Sequence, residues 1–132
     1  MTYYVGILDG SEGLWGVRLP DVPGCVGAGE TPDLAVADAA TALRDVMSYK
    51  RSGGFPLQSA SALADILASG EVAAGETIVL IRLALDTGRT VRANLTLDAG
   101  LLEAIDAEAA IKGITRSAFV AGAAREKIEA GR

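Results

Sequence analysis

The chain has no histidine, a single cysteine and few aromatic residues, 5% of 132. Without histidine there is no Ser-His-Asp or Cys-His constellation, and the commonest zinc ligand is missing. Cys25 alone cannot form an internal disulfide, in agreement with a reducing compartment. No run of about eighteen apolar residues is present to cross a bilayer, and Met1-Thr2-Tyr3-Tyr4 lacks the basic start of a signal peptide. The expected location is cytoplasmic, with no membrane partner. Scarce aromatics leave Ala, Val, Leu and Ile to build the core, and an apolar share of 50% suits a globular chain.

What is present is unevenly placed charge. The formal net charge is −5. Residues 1–86 carry five Lys or Arg against eleven Asp or Glu, net −6, whereas residues 87–132 carry seven against six, net +1. The chain therefore divides into two small domains, 1–86 and 87–132. An acidic front part suits a basic protein partner, and a near-neutral back part must rely on positioned contacts rather than bulk field.

In the back part, Val91, Ala93, Leu95 and Leu97 alternate with Arg92, Asn94 and Thr96, so a strand over Thr90–Leu97 separates an apolar face from a polar one. Asp98 then caps a helix carrying Leu101, Leu102, Ile105 and Ala109, Gly113 ends it, and Thr115 caps a second helix with Phe119, Val120 and Ile128. About forty residues bury too little to fold unaided, and a lone strand needs a partner. The same strand of a second copy supplies one, giving a two-stranded ribbon over four helices. Such a ribbon fits the major groove, where arginine suits guanine, asparagine suits adenine and threonine adapts to either base edge or a thymine methyl.

Arg-Ala-Asn-Leu-Thr-Leu-Asp, a helix, and then Lys112-Gly113-Ile114-Thr115-Arg116-Ser117-Ala118-Phe119 resembles the ribbon-helix-helix DNA-binding proteins of the Arc, MetJ and CopG type. The resemblance implies that Arg92, Asn94 and Thr96 read bases. It places Thr115, Arg116 and Ser117 at a helix N-terminus that holds a phosphate.

In the front part, Thr2–Leu8 and Leu14–Leu19 read as strands around a hairpin turn at Asp9–Gly13, and Cys25–Ala28 as a short third strand after a Pro-rich connection. Thr31-Pro32-Asp33 starts a helix reaching about Tyr49, with Ala35, Ala39, Ala42, Leu43, Val46 and Met47 at helical spacing, so that it lies across the sheet. Ser59–Ser69 reads as a small helix closed by Gly70. Thr77–Leu85, apolar on both faces apart from Arg82, is expected at the centre of the sheet. Asp86-Thr87-Gly88-Arg89 links the halves. The fold class expected is α+β, a β-β-β-α-β antiparallel meander followed by the strand and two helices.

Val17-Arg18-Leu19-Pro20-Asp21-Val22-Pro23-Gly24-Cys25-Val26-Gly27-Ala28-Gly29-Glu30-Thr31 resembles the HicB family of bacterial antitoxins, with Pro-Asp-x-Pro-Gly-Cys before a small-residue turn and a Thr-capped helix. Together the two resemblances cover nearly the whole chain. They imply a front domain like a truncated ribonuclease H without its activity, covering a small basic ribonuclease toxin, HicA. They also imply a homodimer, with pairing into a tetramer left open, that represses its own operon. Leu34 departs from the family, which often has glutamate there.

No cofactor, metal or catalytic residue is expected. Asp9, Asp21 and Asp86 fall at strand ends or turns, Asp38 and Asp45 are helix acids two turns apart, and Cys25 after Pro-Gly reads as a packed residue. Gly24-x-x-Gly27-x-Gly29 lacks the lysine and preceding strand of a phosphate loop. Trp15 and Arg18 are candidate partner contacts, Trp15 being the better core candidate. The rival reading is a stand-alone repressor whose front half senses a small molecule; a residual nuclease is a third. Replacing Arg92 by Ala should weaken binding at a cognate DNA site by about 1–3 kcal/mol, measured by titration beside a non-cognate duplex. Unchanged operator affinity in a protein that stays dimeric would remove Arg92 from base reading.

Overall fold

The computed structural model describes residues 2–84 and 89–130. The elements are β1 (Thr2–Ser11), β2 (Leu14–Arg18), β3 (Val26–Gly29), α1 (Pro32–Ser52), α2 (Leu63–Ala68), β4 (Thr77–Leu83), α3 (Ala99–Lys112) and α4 (Arg116–Ala130). The chain separates into two compact units, Met1–Leu85 and Asp86–Arg132. Of the expected linker, residues 86–88 lie outside the described residues.

Unit 1 is an antiparallel sheet of order β3-β2-β1-β4 with α1 across one face. β1 runs three residues longer than its apolar run predicts, since Ser11 pairs with Leu14 and only Glu12 and Gly13 remain to turn the chain. α1 starts as its sequence requires: Thr31 is extended, its hydroxyl oxygen accepts the Leu34 amide hydrogen at 3.2 Å, and Pro32 occupies the first helical position. Lys50 and Arg51 in the last turn complement the negative end of the dipole.

Helix and sheet meet through small residues. A Cβ on Gly27 would lie 2.6 Å from the Ala35 carbonyl oxygen and 2.7 Å from the Ala39 Cα, so backbone packs directly on backbone where β3 passes under α1. Ala35 and Ala39 are fully buried there, with Tyr4, Leu8, Val17, Leu43, Met47, Ile81 and Leu83 completing the core. Each of the larger buried aliphatic side chains contributes roughly 1.5–3 kcal/mol over its exposed state.

The other face of the sheet is also covered at its centre. Val5 and Ile7 alternate with Tyr4 and Leu8, point away from α1, and are buried. Arg18 pairs with Ile7 and shares its face. Its guanidinium donates to Glu76 Oε1 at 2.8 Å and to the Glu71 carbonyl at 2.9 Å, drawing the α2–β4 connection over this side. Arg18 is thus a structural clamp, with 41% of its side chain left exposed. Asp21 holds the amide and hydroxyl of Ser61 at 2.7 and 2.6 Å, and Tyr4 donates to the Gln58 carbonyl at 2.8 Å. Trp15 is half-buried against the core, and Cys25 is buried, which pushes its thiol pKa up.

One expectation is corrected. β4 is an edge strand, bonded to β1 alone, because the α2 connection returns it beside β1 rather than between two earlier strands. Residues 90–97 carry no strand assignment and are exposed throughout. A ladder exists only with a partner, and this single chain gives that segment none. Gly27→Ala should destabilise unit 1 by about 1–3 kcal/mol or more, read as a lower urea midpoint, because the added methyl meets main chain that cannot yield. A midpoint equal to that of the parent would show that α1 can lift off β3 freely.

Candidate nucleic-acid interface

Unit 2 is built from its helix ends. Asp98 Oδ2 accepts the amide hydrogens of Gly100 and Leu101 at 2.9 and 3.2 Å and starts α3. Gly113 ends it with φ of 66°, the left-handed conformation that costs glycine least, while the Ile114 amide returns to the Ala109 carbonyl at 3.0 Å. Thr115 then caps α4, its Oγ1 accepting the Ala118 amide hydrogen at 3.1 Å. Cap, glycine and cap thus occupy the positions the sequence assigns them.

The two helices are tied across this turn. Arg116 Nε and Nη2 each donate at 2.8 Å to the two carboxylate oxygens of Asp106, and the Lys112 ammonium lies 5.5 Å above the Phe119 ring. The guanidinium fork holds the Asp106 carboxyl below the usual carboxylate range, and the carboxylate raises Arg116 in turn. Ile105 and Ala109 are the buried residues of α3.

Arg92, Asn94 and Thr96 all lie on the exposed segment that leads into α3, and the apolar residues between them are exposed as well, Val91 by 75% and Leu95 by 65%. Thr115, Arg116 and Ser117 come together in the first turn of α4, also exposed. Within that trio the roles separate. The Thr115 oxygen is occupied by capping, and Arg116 offers an anion only the Nη1 side of its guanidinium while Asp106 holds the other. Asp106 is the residue that sequence reasoning missed. Its only signal is a carboxylate placed ten residues before an arginine, with a chain-reversing glycine between them.

In unit 1, Asp38 and Asp45 are exposed along α1, and Asp38 accepts the Ala28 amide hydrogen at 2.9 Å. Among the described residues no group of three or more Cys, Asp or Glu is placed to hold a metal ion, and no helix is long and apolar enough to cross a membrane.

Comparison with known proteins places the chain among the antitoxins of bacterial toxin–antitoxin systems. The chain belongs to the HicB-like antitoxin family, whose model, described as the HicB_like antitoxin of bacterial toxin-antitoxin system, matches residues 3–124. Among solved structures it is similar to the antitoxin HicB of Burkholderia pseudomallei, with 28% identity, coverage of 97% of this chain and 99% of that one, and a TM-score of 0.60. The antitoxin HicB3 structure is 26% identical over 96% of this chain and 98% of that one, with a TM-score of 0.57. A toxin–antitoxin complex from Streptococcus pneumoniae is 17% identical over 96% and 98% of the two chains, TM-score 0.50, a likeness of fold. No curated protein matches the chain.

The Asp106 carboxyl should titrate below its ordinary 3.8, and Arg116→Gln should return it to that range, as followed by carboxyl NMR. Because the folded value is depressed, the pair stabilises unit 2 above the unfolded value, and that contribution is lost as pH falls through the folded one. An Asp106 titration indifferent to Arg116 would mean that the fork does not persist in solution.

Proposed function

We propose that this antitoxin neutralises a HicA-like basic ribonuclease toxin through unit 1 and represses its own operon through unit 2. The observation that carries the reading is the division of the chain into an acidic sheet-and-helix unit and a separate capped helix pair, each with its own chemistry. For unit 1, the net −6 over residues 1–86 supports docking on a cationic protein, covering its RNA-binding surface by charge complementarity and steric exclusion. The β1–β2–β3 meander beneath α1 supports its likeness to a truncated ribonuclease H.

For unit 2 the support is the exposed segment 90–97. Val91 and Leu95 are too exposed to serve any core within one chain, and apolar side chains so placed mark an interface. Pairing with the same segment of a second copy completes a ribbon-helix-helix dimer, buries those side chains, and turns Arg92, Asn94 and Thr96 of both copies toward base edges. Thr115, Arg116 and Ser117 then meet the phosphates flanking the site, setting register without reading sequence.

The test is binding to duplex DNA from upstream of the gene across a salt series, beside an Arg92, Asn94 and Thr96 triple alanine variant, with inhibition of the purified toxin's RNA cleavage measured in parallel. The expected result is that the variant keeps inhibiting the toxin and loses site-selective DNA binding. Wild type that selects no upstream sequence overturns the repressor half of the reading; wild type that leaves cleavage untouched overturns the neutralising half.

A further inference from the structure

The turn between α3 and α4 sets a carboxylate against the start of the second helix. The first turn of α4 carries no acidic residue of its own. The carboxylate comes from α3 instead: Asp106 takes Nε and Nη2 of Arg116, each at 2.8 Å, along one edge of the planar guanidinium. A two-bonded fork is the geometry in which an exposed ion pair holds best. Of the two side chains, 57% of Arg116 and 46% of Asp106 stay open to solvent, so a ligand that reaches the outer edge of the guanidinium also comes close to the carboxylate. Residues 87–132 carry seven cations against six anions, net +1, and would carry seven against five, net +2, without Asp106.

We propose that Asp106 sets the DNA affinity of unit 2, because its fork on Arg116 offers a phosphate a neutral couple in place of a full positive charge and so holds down sequence-independent binding. The inference rests on the reading that unit 2 binds duplex DNA with the start of α4 against phosphates. Each phosphate neutralised by a free cation releases condensed counterions, and that release drives binding without regard to sequence. A guanidinium already matched by a carboxylate releases fewer, and the nearby carboxylate repels the phosphate it meets. Arg116 then acts as a hydrogen-bond donor through Nη1, which fixes register, and the choice of site falls to Arg92, Asn94 and Thr96. The competing role for Asp106 is to orient an arginine whose charge is fully used. The two roles give opposite signs when the carboxylate is removed.

The test is titration of the full-length wild type, Asp106→Asn, Arg116→Gln and the double variant with the upstream duplex and with a non-cognate duplex of equal length, across a salt series. Far-ultraviolet ellipticity checks that the helices persist, and Asp106→Ala removes the same charge with a residue that favours helix. Asp106→Asn and Asp106→Ala should bind both duplexes several-fold more tightly at low salt, with the slope of log affinity against log salt steeper by about one per protomer. Arg116→Gln should bind more weakly, and the double variant should return close to wild type in affinity and slope. Affinity unchanged or lowered by loss of the carboxylate overturns the proposal, as does a double variant as weak as Arg116→Gln, which would make Asp106 a residue that orients Arg116. A wild type that selects no upstream sequence, beside Asp106→Asn that binds both duplexes more tightly, keeps the proposal and removes the repressor; absence of binding by every variant removes both.

Discussion

An extended segment cannot satisfy its own amides and carbonyls, and in this protein that constraint decides what can stand alone and what must find a neighbour. In unit 1, β1 and β2 are flanked on both sides, β3 is closed off by a carboxylate from the helix above it, and β4 keeps one side free. In unit 2 the segment before α3 has the alternation of a strand and no ladder within the chain. Both open stretches are apolar enough that water is a poor partner for their side chains. The backbone requirement and the hydrophobic one therefore point the same way.

The rest of unit 1 depends on how closely its layers approach. Gly27 brings main chain against main chain, and Ala35 and Ala39 leave room for it. The opposite face is held by polar ties instead, Arg18 to Glu76 and to the Glu71 carbonyl, while Asp21 and Tyr4 anchor the chain before α2. Charged groups that look available in the sequence are in this way committed to the fold, while Asp45 on the outer side of α1 stays open to a partner.

Much of this was legible in the residues themselves. Thr31-Pro32, Asp98, Gly113 and Thr115 are local signals, and the helices begin and end where they place them. β4 is misplaced in the sequence reading because apolarity on both faces does not fix sheet order, which is set by the path of the connection. Arg18 and Asp106 could not be read because their partners are 58 and 10 residues away, and a pairing of that kind follows from the folded path rather than from spacing.

The position of Trp15 has an optical consequence. The only tryptophan lies half-buried against the core of unit 1, and all three tyrosines, Tyr3, Tyr4 and Tyr49, belong to the same unit. Unit 2 has Phe119 as its sole aromatic side chain. Intrinsic fluorescence therefore watches the sheet and is blind to the helix pair. A melting curve followed by emission and one followed by far-ultraviolet ellipticity report on different parts of this molecule, and any gap between them measures how independently the two halves come apart.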